Sequence, residues 1–260
     1  MVLKDLSFSI KPGERIGVVG RTGSGKSTLL QVLFRMINAT SGSIRIDEVD
    51  TSVLPLEKLR SKLSIIPQDP TLFNGSVRYN LDPLGIASDE DLWNALELSH
   101  LREVVENMDG QLDAIVAEHG ENLSVGQRQL VCMARAILRH SKVIAMDEAT
   151  ASVDLETDQY IQTMIRTQFV GCTIVTIAHR LHTIMDRFVS SCLFIFTLSF
   201  IVVIYSDRIL VMDNGNAVEF DSPERLLQNP EGIFSKLVAA ANDETLYAEV
   251  RKADDDSSQS

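Results

Sequence analysis

Arg15-Ile16-Gly17-Val18-Val19-Gly20-Arg21-Thr22-Gly23-Ser24-Gly25-Lys26-Ser27-Thr28-Leu29-Leu30-Gln31-Val32-Leu33-Phe34 is the stretch that decides the fold. Its first five residues read as a buried strand, and Thr28 to Phe34 continue as a helix. Between them, Gly20 to Ser27 carries the phosphate-loop spacing: Gly, four residues, then Gly-Lys-Ser. Glycines let consecutive backbone N–H groups curl around an anion, and the helix start adds its positive end. The pattern predicts ATP held by Gly20, Arg21, Thr22, Gly23, Ser24, Gly25, Lys26, Ser27 and Thr28. Lys26 is expected on the β- and γ-phosphates, and the Ser27 hydroxyl on Mg²⁺.

A glycine-rich strand–helix turn can match that pattern by chance, so a second half of the site matters. Val143-Ile144-Ala145-Met146-Asp147 reads as an apolar strand ending in a carboxylate, with Glu148 directly after it. Acids also favour solvated helix starts. Beside a phosphate loop, Asp147 is instead placed to hold Mg²⁺ through water. Glu148, one residue on, projects differently and is the candidate to orient or partly deprotonate an attacking water.

Leu123-Ser124-Val125-Gly126-Gln127-Arg128-Gln129-Leu130 narrows the class further. Ser124 reads as the cap of a helix running through Arg139, with Val131, Ala134, Ile137 and Leu138 on its apolar face. A capped helix start with Gly126 beside it is a second anion site. At this point the chain resembles the ABC ATPase family, whose signature usually has Gly where Val125 stands. The resemblance implies that Ser124, Val125, Gly126 and Gln127 serve the ATP held by a partner domain.

Three further elements match in family order. Gln68, within Ile65-Ile66-Pro67-Gln68-Asp69, matches the glutamine that touches Mg²⁺ and senses the membrane domain. Ala151-Ser152-Val153-Asp154 matches the loop that crosses the dimer interface, through Ser152 and Asp154. His179, after Thr173-Ile174-Val175-Thr176-Ile177-Ala178, matches the histidine at the γ-phosphate. His100, His119, His140 and His182 match nothing and read as structural.

The resemblance implies an α/β fold of the P-loop NTPase (RecA-like) kind, with a parallel-sheet core, antiparallel strands and an inserted helical subdomain. Residues 1–76 and 141–240 are then the core of a single cassette, 77–140 the helical signature subdomain and 241–260 an acidic tail. Helices are expected over Asp89 to Glu97 and Leu101 to Asn107. Arg208 to Met212 and Ala217 to Phe220 read as strands of a hairpin turning at Asp213-Asn214-Gly215.

Gly20-Arg21-Thr22-Gly23, the signature stretch and Val218-Glu219-Phe220-Asp221-Ser222-Pro223 look like the second cassette of multidrug-resistance-associated, C-subfamily transporters. The likeness implies a catalytic Glu148 here, and a Val125-bearing signature that faces a weaker ATP site on the first cassette. Two departures stand out. The family stacks adenine on an aromatic upstream of Val2, where this chain has only Met1, so weakened ATP affinity and a truncated chain are expected. Residues 187–205 include an uncharged apolar run from Phe188 to Tyr205, close to the length that spans a bilayer. Joining Asp186 to Ser206 matches the family without a gap, so the run reads as an anomalous insert, such as a translated intron, and not as a functional element.

Composition agrees with a globular ATPase. Apolar residues make up 45% and charged residues 23% of the chain, and the net charge is −12. That sign argues against a partner with a phosphate backbone, so no nucleic acid is expected. Cys132, Cys172 and Cys192 lie far apart without metal spacing and read as reduced thiols. The N-terminus opens directly into strand-like sequence with no signal-peptide pattern.

The expected function is ATP hydrolysis, with Lys26, Glu148 and His179 as catalytic residues and Ser27, Gln68 and Asp147 around Mg²⁺. The expected partners are a second nucleotide-binding domain and transmembrane domains, at the cytoplasmic face of a membrane, driving export of organic anions or conjugates. Two alternatives stand beside it: a soluble ABC ATPase outside transport, and a regulatory module that binds ATP without turnover.

Overall fold

The computed structural model describes residues 2–147, 153–178 and 206–240. These form two compact units, one of residues 2–29, 175–178 and 206–240, the other of 30–147 and 153–174.

In the first unit, β1 (Arg15–Val19) runs parallel to β9 (Arg208–Asp213), with Ile16 opposite Arg208 and Val19 opposite Val211. The Asn214-Gly215 turn returns the chain as β10 (Asn216–Asp221), antiparallel to β9 with a register shift between Ala217 and Glu219. Gly215 has φ +85° and Asn214 +48°, the left-handed pair a two-residue hairpin requires. β1 and β9 are nearly continuous apolar runs because a parallel strand is covered on both faces. Their side chains join Ala178, Phe234 and Leu237 in one core cluster. Burying each such side chain contributes about 1.5–3 kcal/mol. Short helix α8 (Pro223–Leu227) starts with Ser222 capping the Arg225 amide, and residues 233–240 are helical. Both Glu219 carboxylate oxygens accept amides at that helix start, from Ile233 at 2.7 Å and Phe234 at 2.9 Å.

The second unit begins within α1 (Lys26–Leu33), continues through the small ladder β2 (Arg45–Ile46) with β3 (Val49–Asp50), and reaches α2 (Leu56–Arg60). β4 (Leu63–Ile66) then lies parallel to β7 (Val143–Asp147), Leu63 opposite Val143 and Ile66 opposite Met146. The Thr173 amide donates to Lys142 O, so β8 (Thr173–Ile177) starts level with β7. Between β4 and β7 comes a helical stretch. β5 (Gly75–Ser76) pairs with β6 (Ile115–Val116), and α3 (Val77–Leu81), α4 (Asp89–Leu98), α5 (Arg102–Glu106) and α6 (Val125–Leu138) follow the chain order.

Local sequence explains these helices. Ser88 and Asp91 form a reciprocal capping box on α4, three acids occupy its first turn, and Leu92, Ala95 and Leu96 repeat at helical spacing on its buried side. The expected Asp89–Glu97 helix is therefore seen, one residue longer, while Leu101 to Asn107 contracts to α5 with Leu101 and Asn107 as its caps. α7 (Leu155–Thr167) is capped by Asp154. The α/β class expected from the sequence is observed, with parallel pairings at both β1–β9 and β4–β7. Among the described residues no helix is long and apolar enough to cross a membrane. Residues 187–205 and 241–260 lie outside the described residues.

Candidate nucleotide site

The phosphate loop belongs to the first unit up to Leu29 and is built as the sequence predicts, from the end of β1 into α1. Gly20, Gly23 and Gly25 all have positive φ, at +152°, +81° and +103°. A Cβ on Gly20 would lie 2.2 Å from Met212 O, so only glycine lets the loop approach β9 so closely. The Gly215 amide in turn donates to Ser24 O at 3.1 Å. The β9–β10 turn thus backs the loop. Sequence reasoning did not assign that role to the turn, because its contact with Ser24 spans 191 positions.

Lys26 is only 2% exposed, and its Nζ donates to Gly20 O at 2.7 Å and Arg21 O at 3.1 Å. A buried ammonium needs such acceptors. Ser24 is 3% exposed, and its hydroxyl oxygen is buried with no hydrogen-bond partner among the described residues. An orphaned buried hydroxyl inside a loop of this shape fits an oxygen-rich anion. Arg21, Thr22 and Gly23 are exposed, as is Ser27 at the helix start, while Thr28 is half-buried.

The remaining candidates lie in the second unit. Asp147 ends β7, half-buried, as the apolar run predicted. Gln68 follows β4 by two residues and is exposed. Among the described residues, no three His, Cys, Asp or Glu side chains gather as a metal cage. A hydroxyl, a carboxylate and a carboxamide suit Mg²⁺, which keeps several waters and binds substrate phosphate oxygens. Ser27 carries such a hydroxyl, Asp147 such a carboxylate and Gln68 such a carboxamide.

The signature helix starts as expected. Ser124 caps α6, its Oγ accepting the Gln127 amide at 3.1 Å while Gln127 Oε1 accepts the Ser124 amide at 2.9 Å. The helix ends at Leu138 with Arg139 as its cap, and its buried side also includes Gln129, Leu130, Cys132 and Met133; Ile137 and Leu138 are half-buried. Val125 is 38% exposed at the open end. A Cβ on Gly126 would sit 2.7 Å from Thr157 Oγ1 and 3.2 Å from Asp154 Oδ2. The Asp154 carboxylate accepts the Thr157 amide at 2.9 Å and the Thr157 hydroxyl at 2.8 Å, which holds its pKa below the usual carboxylate range. The signature and the start of α7 are therefore packed against each other. Glu148, Ser152 and His179 lie outside the described residues.

Cys132 and Cys172 are free and buried, and burial pushes both thiols up, as suits inert reduced cysteines.

The family model named "ABC transporter" matches residues 3–151. The chain belongs to the ABC transporter family. Members of that family are ATPases. The ABC domain is 53% identical over 229 residues to ATP-binding cassette sub-family C member 2 of Rattus norvegicus, covering 88% of this chain and 14% of that protein. It is equally 53% identical over 234 residues to sub-family C member 3 of Homo sapiens, covering 90% of this chain and 14% of that one. The chain thus spans about one seventh of the length of these relatives. Among solved structures, a bacterial Atm1-family ABC exporter with ATP bound matches with a TM-score of 0.78 and 32% identity, over 92% of this ABC domain and 38% of that chain.

Proposed function

We propose that this chain is the ATP-binding and ATP-hydrolysing domain of a C-subfamily exporter, and the second cassette of such a transporter. The observation that carries the reading is the phosphate loop: a buried Lys26, a buried Ser24 hydroxyl with no partner among the described residues, and glycines at left-handed φ in one turn. Family membership and the order of the remaining motifs support the rest.

In this reading the loop amides and Lys26 bind the triphosphate, with Lys26 exchanging its contacts to Gly20 O and Arg21 O for phosphate oxygens. Ser27, Gln68 and Asp147 hold Mg²⁺, which neutralises charge on the phosphates when bound. Glu148 orients a water for attack on the γ-phosphorus and draws a proton from it. The bond to the β–γ bridging oxygen breaks, giving ADP and phosphate. His179 donates to the γ-phosphate oxygens. Ser124, Val125, Gly126 and Gln127 complete the site of a second nucleotide-binding domain, and Ser152 and Asp154 line that interface. ATP-dependent association of the two domains drives transmembrane domains, from the cytoplasmic face, to export organic anions or conjugates.

The test is ATPase activity of the chain lacking residues 187–205, compared with the same chain carrying Glu148→Gln. Turnover that Glu148→Gln abolishes supports the reading. ATP binding without turnover in either protein overturns self-sufficient hydrolysis and leaves a nucleotide-binding module.

A further inference from the structure

The segment from Pro67 to Phe73, which carries Gln68, is secured by side chains that the functional reading does not use. Gln129 Nε2 donates to Pro67 O at 3.1 Å. Arg135 Nη1 donates to Thr71 O at 2.8 Å, and its guanidinium lies 5.9 Å from the centre of the Phe73 ring. Asn80 closes the segment: its Oδ1 accepts the Phe73 amide at 2.9 Å, and its Nδ2 donates to Phe73 O at 2.8 Å. Arg135 also donates to Asn80, through Nη2 to Oδ1 at 3.0 Å and through Nε to the backbone carbonyl.

Gln129 and Asn80 are each 1% exposed, beside a core of apolar side chains. An apolar side chain of similar volume at 129 would bury itself without a hydrogen-bonding requirement, whereas a buried carboxamide is costly unless satisfied. What the glutamine adds is a directional contact to the carbonyl immediately preceding Gln68. Gln129 and Arg135 both stand on α6, whose first turn is the Ser124–Gln127 anion site. A displacement of that end of α6 is therefore delivered, through one hydrogen bond, to the backbone beside Gln68.

We propose that Gln129 is a positioning residue for Gln68, with Arg135 as the second anchor of the same segment. The helix that presents the signature to one nucleotide then also sets the Mg²⁺-side glutamine of the other. This rests on the reading that Gln68 faces Mg²⁺, and the test separates the two ideas.

Equilibrium affinity of the full chain for ATP is measured with Mg²⁺ and with EDTA, for the parent, Gln68→Ala, Gln129→Met and Gln129→Leu. Removing a positioning hydrogen bond should shrink the Mg²⁺-dependent gain in affinity about 3- to 10-fold, leaving the EDTA value within about 2-fold. Gln129→Leu likewise removes the donor while filling the site with apolar atoms, so it should behave alike and serves if Gln129→Met does not fold. Arg135→Lys, which cannot reach Thr71 O and Asn80 together, should give a smaller loss of the same kind. A reduced gain in Gln68→Ala with a parental gain in both Gln129 variants would overturn the positioning role. Equal losses with and without Mg²⁺ would also overturn it, since they report general damage. An unchanged gain in Gln68→Ala would overturn the Mg²⁺ reading and the proposal together.

Discussion

Arg208 meets Glu14 with two prongs, Nε to Oε1 at 2.5 Å and Nη2 to Oε2 at 2.6 Å. The guanidinium also stacks 4.0 Å from the Phe220 ring centre, and Phe220 meets Phe8 edge-on. Glu14 immediately precedes β1 and Arg208 begins β9, so the pair pins the start of a parallel ladder at the point where Asp207 also accepts the Arg15 amide. The bidentate partner holds the Glu14 carboxyl below its ordinary value, despite the opposing effect of burial.

Glu14→Gln should lower unfolding free energy by about 2 kcal/mol at neutral pH. A depressed carboxylate pKa stabilises the fold above the unfolded-state value, and that stability is lost as pH falls through the folded value. Urea unfolding between pH 3 and 7 should therefore show a steeper acid decline in the parent than in Glu14→Gln. Parallel curves would count against the pair.

Deleting residues 187–205 should leave that ladder in register. The contacts that align β9 beside β1 begin at Asp207 and Arg208, after the deleted run. The deletion variant should match or exceed the parent in thermal midpoint, and should aggregate less, because an uncharged β-branched stretch is removed. A fall of more than about 2–4 °C, the equivalent of 1 kcal/mol for a chain of this size, would mean the run carries structural contacts.

Lys26→Met should weaken ATP binding at least ~10-fold, the loss of one charge-assisted contact, in a fluorescent-nucleotide titration. It also removes the donor serving Gly20 O and Arg21 O, so the thermal midpoint without nucleotide should fall. Parental affinity in this variant would remove Lys26 from the phosphate site.

Gly126→Ala sets helix propensity against packing. Alanine favours the helix by about 1 kcal/mol. The added Cβ, however, would lie 2.7 Å from Thr157 Oγ1, and overpacking of that kind costs about 1–3 kcal/mol. The net change should be destabilising in the parent and should shrink or reverse in a Thr157→Ala background. Additive urea midpoints across the four proteins would show that the two residues are not coupled.

Much of this was legible from residues alone. β1, β7 and β8 announce themselves as apolar runs, and β1 and β7 span the residues the sequence reading predicted because a strand covered on both faces needs apolar side chains throughout. The cap at Ser124 was readable, since an N-cap depends on partners two or three residues away; those at Ser88 and Asp154 follow the same local rule but emerge only in the structure. Long-range pairings were not. Gln129 stands in the signature stretch, and nothing within its turn marks Pro67, 62 positions earlier, as its acceptor.

The sequence by itself determined the family and the phosphate-loop spacing, and it named the candidate side chains, because motif spacing and hydrophobic periodicity are local and survive without coordinates. Only the tertiary structure decided which glycines are obligatory and why: Gly20 against Met212 O, Gly126 against Thr157. It also decided which polar side chains hold the Gln68 segment from the signature helix. Those contacts join residues far apart in the chain, and a close approach between two backbones has no signature in either stretch alone.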